Sequence, residues 1–124
     1  MPETPPARLR LPRASRIKST GDFARTRAKG QRFISGCLIL NVADRPPAGQ
    51  SRVGVVTSRK IGDAVVRSRA RRLLRETFRL HQHELARPVD MVLVARASIV
   101  GKKFAGVERD FLKALTQSQL LKGT

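Results

Sequence analysis

Apolar and polar positions along the chain follow two periods, and the change between them predicts the order of the elements. Three apolar runs of strand type cover residues 36–43, 52–58 and 90–97. The first two runs are separated by a proline- and glycine-rich loop signal at residues 44–49, and they could pair antiparallel. A long helical segment separates the second run from the third, which predicts a crossover and a parallel pairing.

Helical periodicity occurs in three places. N-cap residue types at residues 19–22 precede a short helix of about two turns over residues 23–29. A last helix is predicted within residues 106–122, where apolar residues recur at helical spacing. A central helix begins after Asp63, and its apolar arc consists of Val66, Ala70, Leu73, Leu74, Thr77 and Phe78. The order of elements indicates an α+β fold in which helices cover one sheet.

Composition limits the number of domains and indicates the kind of binding partner. The 124 residues suffice for one domain, which is predicted over residues 19–122, and residues 1–18, rich in Pro and Arg, are expected to be a partly flexible basic arm. Lys and Arg number 26 against 9 Asp and Glu, which gives a net charge of +17, while 40% hydrophobic residues exclude disorder throughout. This charge favours a polyanionic partner, with nucleic acid as the first expectation and an anionic membrane as the second.

Other observations predict a cytoplasmic protein without a disulfide partner. No apolar run approaches the roughly 18 residues of a membrane span, and residues 1–6 lack the apolar region of a signal peptide. The single cysteine, Cys37, has no second cysteine with which to pair, which fits a reducing compartment. We expect Cys37 to be a small buried hydrophobe in a strand rather than a catalytic thiol.

The central helix carries arginines on the side opposite its apolar arc, and Glu76 is the only acid among them. Four of the arginines recur at intervals of four residues: Arg67, Arg71, Arg75 and Arg79. Like charges at this spacing destabilise a helix by a few tenths of a kcal/mol per pair. An external anion would offset that repulsion, and the planar guanidinium fork indicates phosphate. The pattern favours nucleic-acid binding over a merely solvated basic face and leaves DNA and RNA open.

Residues 58–76 carry a longer motif, SRKIGDAVVRSRARRLLRE. This segment resembles the signature of the bacterial ribonuclease P protein component. The resemblance extends in order and spacing over roughly residues 8–118. Ser68 replaces the asparagine of the family, and Ala70 replaces its usual branched apolar residue. The resemblance implies a two-layer α/β sandwich similar to the second domain of ribosomal protein S5, with a left-handed β–α–β crossover.

The same resemblance implies a function in which RNA carries the chemistry. The catalytic RNA subunit, with Mg²⁺ held mainly by that RNA and the substrate, removes the 5′ leader of precursor tRNA by hydrolysis. The protein binds this RNA through its arginine-rich helix and binds the single-stranded leader in a cleft. The implied RNA-binding residues are Arg59, Lys60, Arg67, Ser68, Arg69, Arg71, Arg72 and Arg75. The implied cleft residues are Phe23, Arg27 and Asn41, with core packing left open for Phe23.

The residues themselves offer no convincing protein active site. His81 and His83 are two positions apart and would point in different directions on a helix, so they are expected as ordinary helix-end residues. Asp90 and Asp110 are expected as capping or surface charges. We therefore predict no catalytic residue and no metal ligand in the chain. A ribosomal or other structural RNA-binding protein is the alternative, and a binder of double-stranded DNA is the third hypothesis.

Overall fold

The computed structural model describes residues 15–121, so most of the predicted basic arm, residues 1–14, lies outside the described residues. The main elements, in chain order, are α1 (Thr20–Lys29), β1 (Gln31–Ser35), β2 (Leu38–Asp44), β3 (Arg52–Val56), α2 (Ala64–His81), β4 (Val89–Ala95) and α3 (Phe104–Gln117). No helix within the described residues combines the length and apolar character needed to cross a bilayer.

The four strands form one sheet in the order β1-β2-β4-β3. Strands β3 and β4 are parallel neighbours, which confirms the predicted crossover through α2. The predicted pairing of β2 with β3 is wrong, because β4 lies between them and runs antiparallel to β2. Strand β4 is buried at six of its seven positions, and such a strand gains most from a central place between two neighbours.

Strand β1 was not predicted, because Gln31–Ser35 is short and its apolar residues are adjacent rather than alternating. It pairs antiparallel with β2 and places Arg32 opposite Asn41. The connection between β1 and β2 is a tight turn in which Gly36 has a φ of 53°, a conformation that favours glycine. Cys37 is fully buried as predicted, but it lies in this turn and not within a strand.

Helix α1 ends where the sequence predicts but begins three residues earlier, at Thr20, because Ser19 is the cap among the predicted N-cap residues. The Ser19 side chain accepts a hydrogen bond from the backbone N of Asp22 at 3.1 Å, which caps the first turn. The helix ends at Gly30, where a Cβ atom would lie 2.3 Å from the carbonyl oxygen of Val42. Only a glycine permits this approach of the helix end to β2, so α1 is held close against its face of the sheet.

Helices α2 and α3 pack against the opposite face of the sheet. Asp63 caps α2 by accepting a hydrogen bond from Val66 N at 3.1 Å, and the predicted apolar arc of α2 faces the core. Helix α3 ends at Gln117, before the predicted limit, because the chain turns at Gln119 with a φ of 59°. This turn brings Leu120 back into the core, where its carbonyl accepts a hydrogen bond from Ala86 N.

Two carboxylates expected at the surface are buried, and that prediction is wrong. Asp90 is 4% exposed and Asp110 is 8% exposed. Asp110 accepts a hydrogen bond from the backbone N of Cys37 at 3.0 Å and lies 3.5 Å from Lys102 Nζ. Burial alone would raise the pKa of Asp110, but these partners hold it below its ordinary value. Both aspartates thus stabilise tertiary contacts.

Candidate nucleic-acid interface

The arginine-rich side of α2 and the turn before it form the arginine surface. The turn Arg59–Ile61 precedes α2, and Arg59 and Lys60 are exposed there. Gly62 has a φ of 155°, and a Cβ atom there would lie 3.0 Å from the side chain of Val66. None of the predicted RNA-binding side chains is buried, and the arginine surface comprises Arg59, Lys60, Arg67, Ser68, Arg69, Arg71, Arg72 and Arg75.

Three arginines of this surface are oriented by uncharged oxygen atoms. Arg71 donates to Thr57 Oγ1 at 2.8 Å and to Ser68 Oγ at 3.1 Å. Arg69 Nη2 donates to the carbonyl oxygen of Lys102 at 2.7 Å, which ties α2 to the loop before α3. Arg67 Nε makes a longer contact, 3.4 Å, to a backbone carbonyl. Because these acceptors carry no formal charge, the positive charge of each guanidinium stays available to an anion.

The remaining acid of α2 does not neutralise this surface. Glu76 pairs with Arg79, which lies outside the predicted RNA-binding set. Within residues 15–121, the side chains of Arg72 and Arg75 make no hydrogen bond and no ion pair. Burial lowers the pKa of Arg75, and the nearby charges of Arg16 and Arg71 lower it further. Among the described residues, the arginine surface therefore holds like charges together without an internal counter-ion.

A basic cavity lies on the other face of the sheet, beneath α1. This α1 cavity has a volume of about 360 Å³ and is lined by Arg27, Ala28, Arg32, Ile39, Asn41 and Val94. It brings together Arg27 and Asn41, two of the three residues predicted for the leader cleft. Asn41 is 4% exposed, and its Nδ2 donates to the carbonyl oxygen of Val92 at 3.4 Å. Arg32 is a third polar group here that the sequence did not suggest.

Phe23 does not line the α1 cavity. It is half-buried, and its ring lies over Gly54 of β3, where a Cβ atom would come within 2.4 Å of ring atom Cε1. The structure therefore places Phe23 over β3, apart from the cavity that holds Arg27 and Asn41. Phe33 of β1 packs against the hydrophobic core and does not line the α1 cavity.

The histidines and acids form no site for a divalent ion within the described part of the chain. His81 lies between two carboxylates, with Nδ1 2.5 Å from Glu84 Oε2 and Nε2 2.8 Å from Glu108 Oε2. His83 is exposed at the end of α2. Residues 15–121 contain no group of three or more His, Cys, Asp and Glu side chains that could hold a metal. These residues do not fit a protein-bound Mg²⁺.

Comparison with known proteins gives one family. The sequence profile described as Ribonuclease P matches residues 11–119. A protein of Gluconacetobacter diazotrophicus named Ribonuclease P protein component is 34% identical over 107 residues, covering 86% of this chain and 92% of the relative. A relative of the same name from Chloroflexus aurantiacus is 39% identical over 112 residues, covering 88% of this chain and 81% of the relative.

Solved structures show the same fold. The RNase P protein of Staphylococcus aureus superposes with a TM-score of 0.78 at 23% identity, covering 87% of this chain and 98% of that one. The RNase P protein of Thermotoga maritima superposes with a TM-score of 0.73 at 24% identity, covering 82% of this chain and 96% of that one. Because the profile spans most of the chain and the relatives exceed 30% identity over most of their length, the chain belongs to the ribonuclease P protein family.

Proposed function

We propose that this ribonuclease P protein component binds the catalytic RNA through the arginine surface and the precursor tRNA leader through the α1 cavity. As a component of ribonuclease P, it is an accessory subunit of a ribonucleoprotein endoribonuclease in tRNA processing. The observation that carries the RNA-binding role is the arginine surface itself, in which Arg72 and Arg75 have no carboxylate partner within residues 15–121. Phosphates of a folded RNA would supply the missing negative charge.

The α1 cavity supports the leader-binding role because its polar groups suit an unpaired nucleotide. Arg27 and Arg32 supply positive charge for the backbone, and the amide of Asn41 supplies a donor and an acceptor for a base edge. Phe23 offers an aromatic face over β3, outside this cavity. Leader binding would therefore depend on charge and hydrogen bonds in the cavity, with stacking at a separate position.

The chain assists a reaction that it does not itself catalyse. Mg²⁺ bound by the RNA and the substrate would activate water and stabilise the leaving oxygen during hydrolysis of the phosphodiester. The residues of this chain would hold the two nucleic acids in their relative positions and offset the repulsion between their phosphates. The cytoplasmic location expected from the sequence stays a prediction.

Reconstitution tests the accessory role. The protein, its catalytic RNA and precursor tRNA are mixed at low Mg²⁺, and we expect cleavage to be faster than with the RNA alone. Arg72→Ala and Arg71→Ala should weaken RNA assembly and reduce its salt dependence by about 0.7–0.9 in log–log slope for each phosphate that is no longer neutralised. Arg109→Ala removes the same charge from the exposed side of α3 and serves as the matched control.

The results separate the hypotheses. RNA binding without any gain in cleavage would contradict the accessory role and favour a structural RNA-binding protein. Equal affinity for duplex DNA and structured RNA at physiological salt would favour the DNA-binding hypothesis. For the leader, Arg27→Gln should reduce the affinity for leader-bearing precursor and leave mature tRNA unaffected. Equal losses for both RNAs would contradict the assignment of the α1 cavity.

A further inference from the structure

The arginine surface contains a cavity that is built from two distant parts of the chain. This Arg16 cavity has a volume of about 370 Å³ and is lined by Arg16, Ser68, Arg72, Arg75, Glu76 and Arg79. Five of these residues belong to α2, whereas Arg16 precedes α1 by several residues. The family motif therefore does not contain all the cations of this cavity.

Arg16 is held in place by the residues on both of its sides. Ile17 N donates to the carbonyl oxygen of Val53 at 2.8 Å, and Arg16 forms a parallel bridge with Val53 on β3. Ser15 is fully buried and accepts a hydrogen bond from Gln50 Nε2 at 2.5 Å. The backbone at Arg16 is thus ordered before any ligand binds, so binding need not fix it.

The charges around this cavity are unbalanced. Glu76 is its only carboxylate within the described residues, and it is paired with Arg79. Within residues 15–121, no hydrogen bond or ion pair engages the side chain of Arg16, Arg72 or Arg75. Burial lowers the pKa of Arg75, and the like charges of Arg16 and Arg71 lower it further. A bound anion would relieve this repulsion.

We propose that Arg16, Arg72 and Arg75 together bind one phosphate group of the catalytic RNA in the Arg16 cavity. This inference rests on the proposed function and adds a residue outside the arginine-rich helix to the RNA interface. Guanidinium groups supplied by α2 and by the segment along β3 would offer donors to more than one oxygen of a tetrahedral phosphate. Ser68 borders the same cavity, and its hydroxyl accepts a hydrogen bond from Arg71.

The direct test measures RNA affinity and its salt dependence for Arg16→Gln, which removes the charge and keeps a similar stem. We expect roughly tenfold weaker binding of the catalytic RNA and a log–log salt slope reduced by about 0.7–0.9. The matched control, Arg109→Gln on α3, should change neither. The double variant Arg16→Gln/Arg75→Gln should lose less than the product of the two single losses, because both residues share one ligand.

A second measurement uses the protein alone with inorganic phosphate as the probe. Phosphate should raise the melting temperature of the unmodified chain more than that of Arg16→Gln. Without phosphate, Arg16→Gln should melt about 1–2 °C higher, because a like charge beside Arg75 is gone. An equal response to phosphate in both proteins would overturn the inference. If Arg72→Ala weakens RNA binding and Arg16→Gln does not, the inference fails while the proposed function stands; if neither weakens it, both fail.

Discussion

Arg52 and Asp90 form a two-bonded ion pair on the α1 side of the sheet. Arg52 Nε donates to Asp90 Oδ1 at 2.8 Å and Arg52 Nη2 donates to Oδ2 at 2.7 Å. The two residues are direct partners across the parallel pair β3–β4. Arg45 adds a third hydrogen bond to Oδ1 at 3.1 Å, and Asp22 of α1 lies 3.4 Å from Arg52. One buried carboxylate therefore joins two strands, a loop and, through Arg52, a helix.

Asp90→Asn should destabilise the protein by about 3 kcal/mol, because it removes one charge of a buried pair and leaves the arginines unmatched. Urea unfolding followed by circular dichroism measures the change. Asp44→Asn is the matched control, because the carboxylate of Asp44 is 70% exposed in its pair with Arg87. The control should lose no more than about 1 kcal/mol. Equal losses in the two variants would contradict the role of Asp90.

The Asp90 carboxylate should also make the stability of the folded protein sensitive to acid. Burial alone would raise the pKa of Asp90, but the hydrogen bonds from Arg52 and Arg45 outweigh it and hold this pKa below its ordinary value. Since the folded pKa is the lower one, the stabilisation is present above the ordinary aspartate pKa and is lost as the pH falls through the folded value. The stability difference between the unmodified chain and Asp90→Asn should therefore shrink on acidification.

The stabilisation contributed by His81 should depend on pH with the opposite sign. Burial lowers its pKa, but hydrogen bonds to Glu108 and Glu84 outweigh burial and raise the pKa above 6.5. The charged form thus links the end of α2 to α3, and its stabilisation is present below pH 6.5 and lost as the pH rises through the folded pKa. His81→Gln should reduce stability by about 1 kcal/mol at low pH and less at high pH. Melting curves across this range, with His83→Gln as control, check the sign.

Cys37 should resist thiol reagents while the protein is folded. Burial and the adjacent Asp110 raise the pKa of its thiol to about 12, so almost no thiolate exists near neutral pH. We expect labelling by a maleimide or a disulfide reagent to proceed only through unfolding, at a rate that rises with denaturant. Rapid labelling under native conditions would show that the turn between β1 and β2 opens locally.

Phe23 combines packing over Gly54 with a candidate stacking surface, and two substitutions separate these roles. Phe23→Leu keeps apolar volume but removes the aromatic face, so stability should fall by less than about 1.5 kcal/mol. If the ring stacks on a leader base, this variant should still lose roughly five- to tenfold in affinity for leader-bearing precursor but not for mature tRNA. Phe23→Ala should lose both stability and affinity. Unchanged precursor affinity in Phe23→Leu would assign the ring to packing alone.

Local signals in the sequence predicted much of the helical structure. Ser19, Gly30 and Asp63 mark helix ends through contacts with residues a few positions away, and the structure contains each of them. The apolar arc of α2 likewise depends only on helical spacing. The long connection between β3 and β4 requires a crossover, which is why their parallel pairing was predicted correctly.

What the sequence did not predict depends on residues far apart in the chain. Asp90 is separated from Arg52 by 38 positions, and Asp110 is separated from Cys37 by 73 positions. No local sequence pattern therefore predicts that these two acids are buried. The short strand β1 was missed, and with it the position of Arg32 opposite Asn41 in the α1 cavity. Arg16 was assigned to the basic arm by composition, whereas its bridge to Val53 brings it beside α2.

The bridge along β3 also has a consequence for solubility. Strand β3 stands at the end of the sheet order, and the backbone bond from Ile17 to Val53 occupies part of its outer side. The unpaired backbone groups of an edge strand can pair with strands of other molecules, which promotes aggregation. A truncated chain that starts after Ile17 would leave this edge of β3 unpaired. Because the net charge is +17, such a chain would self-associate most readily when salt screens the repulsion between molecules.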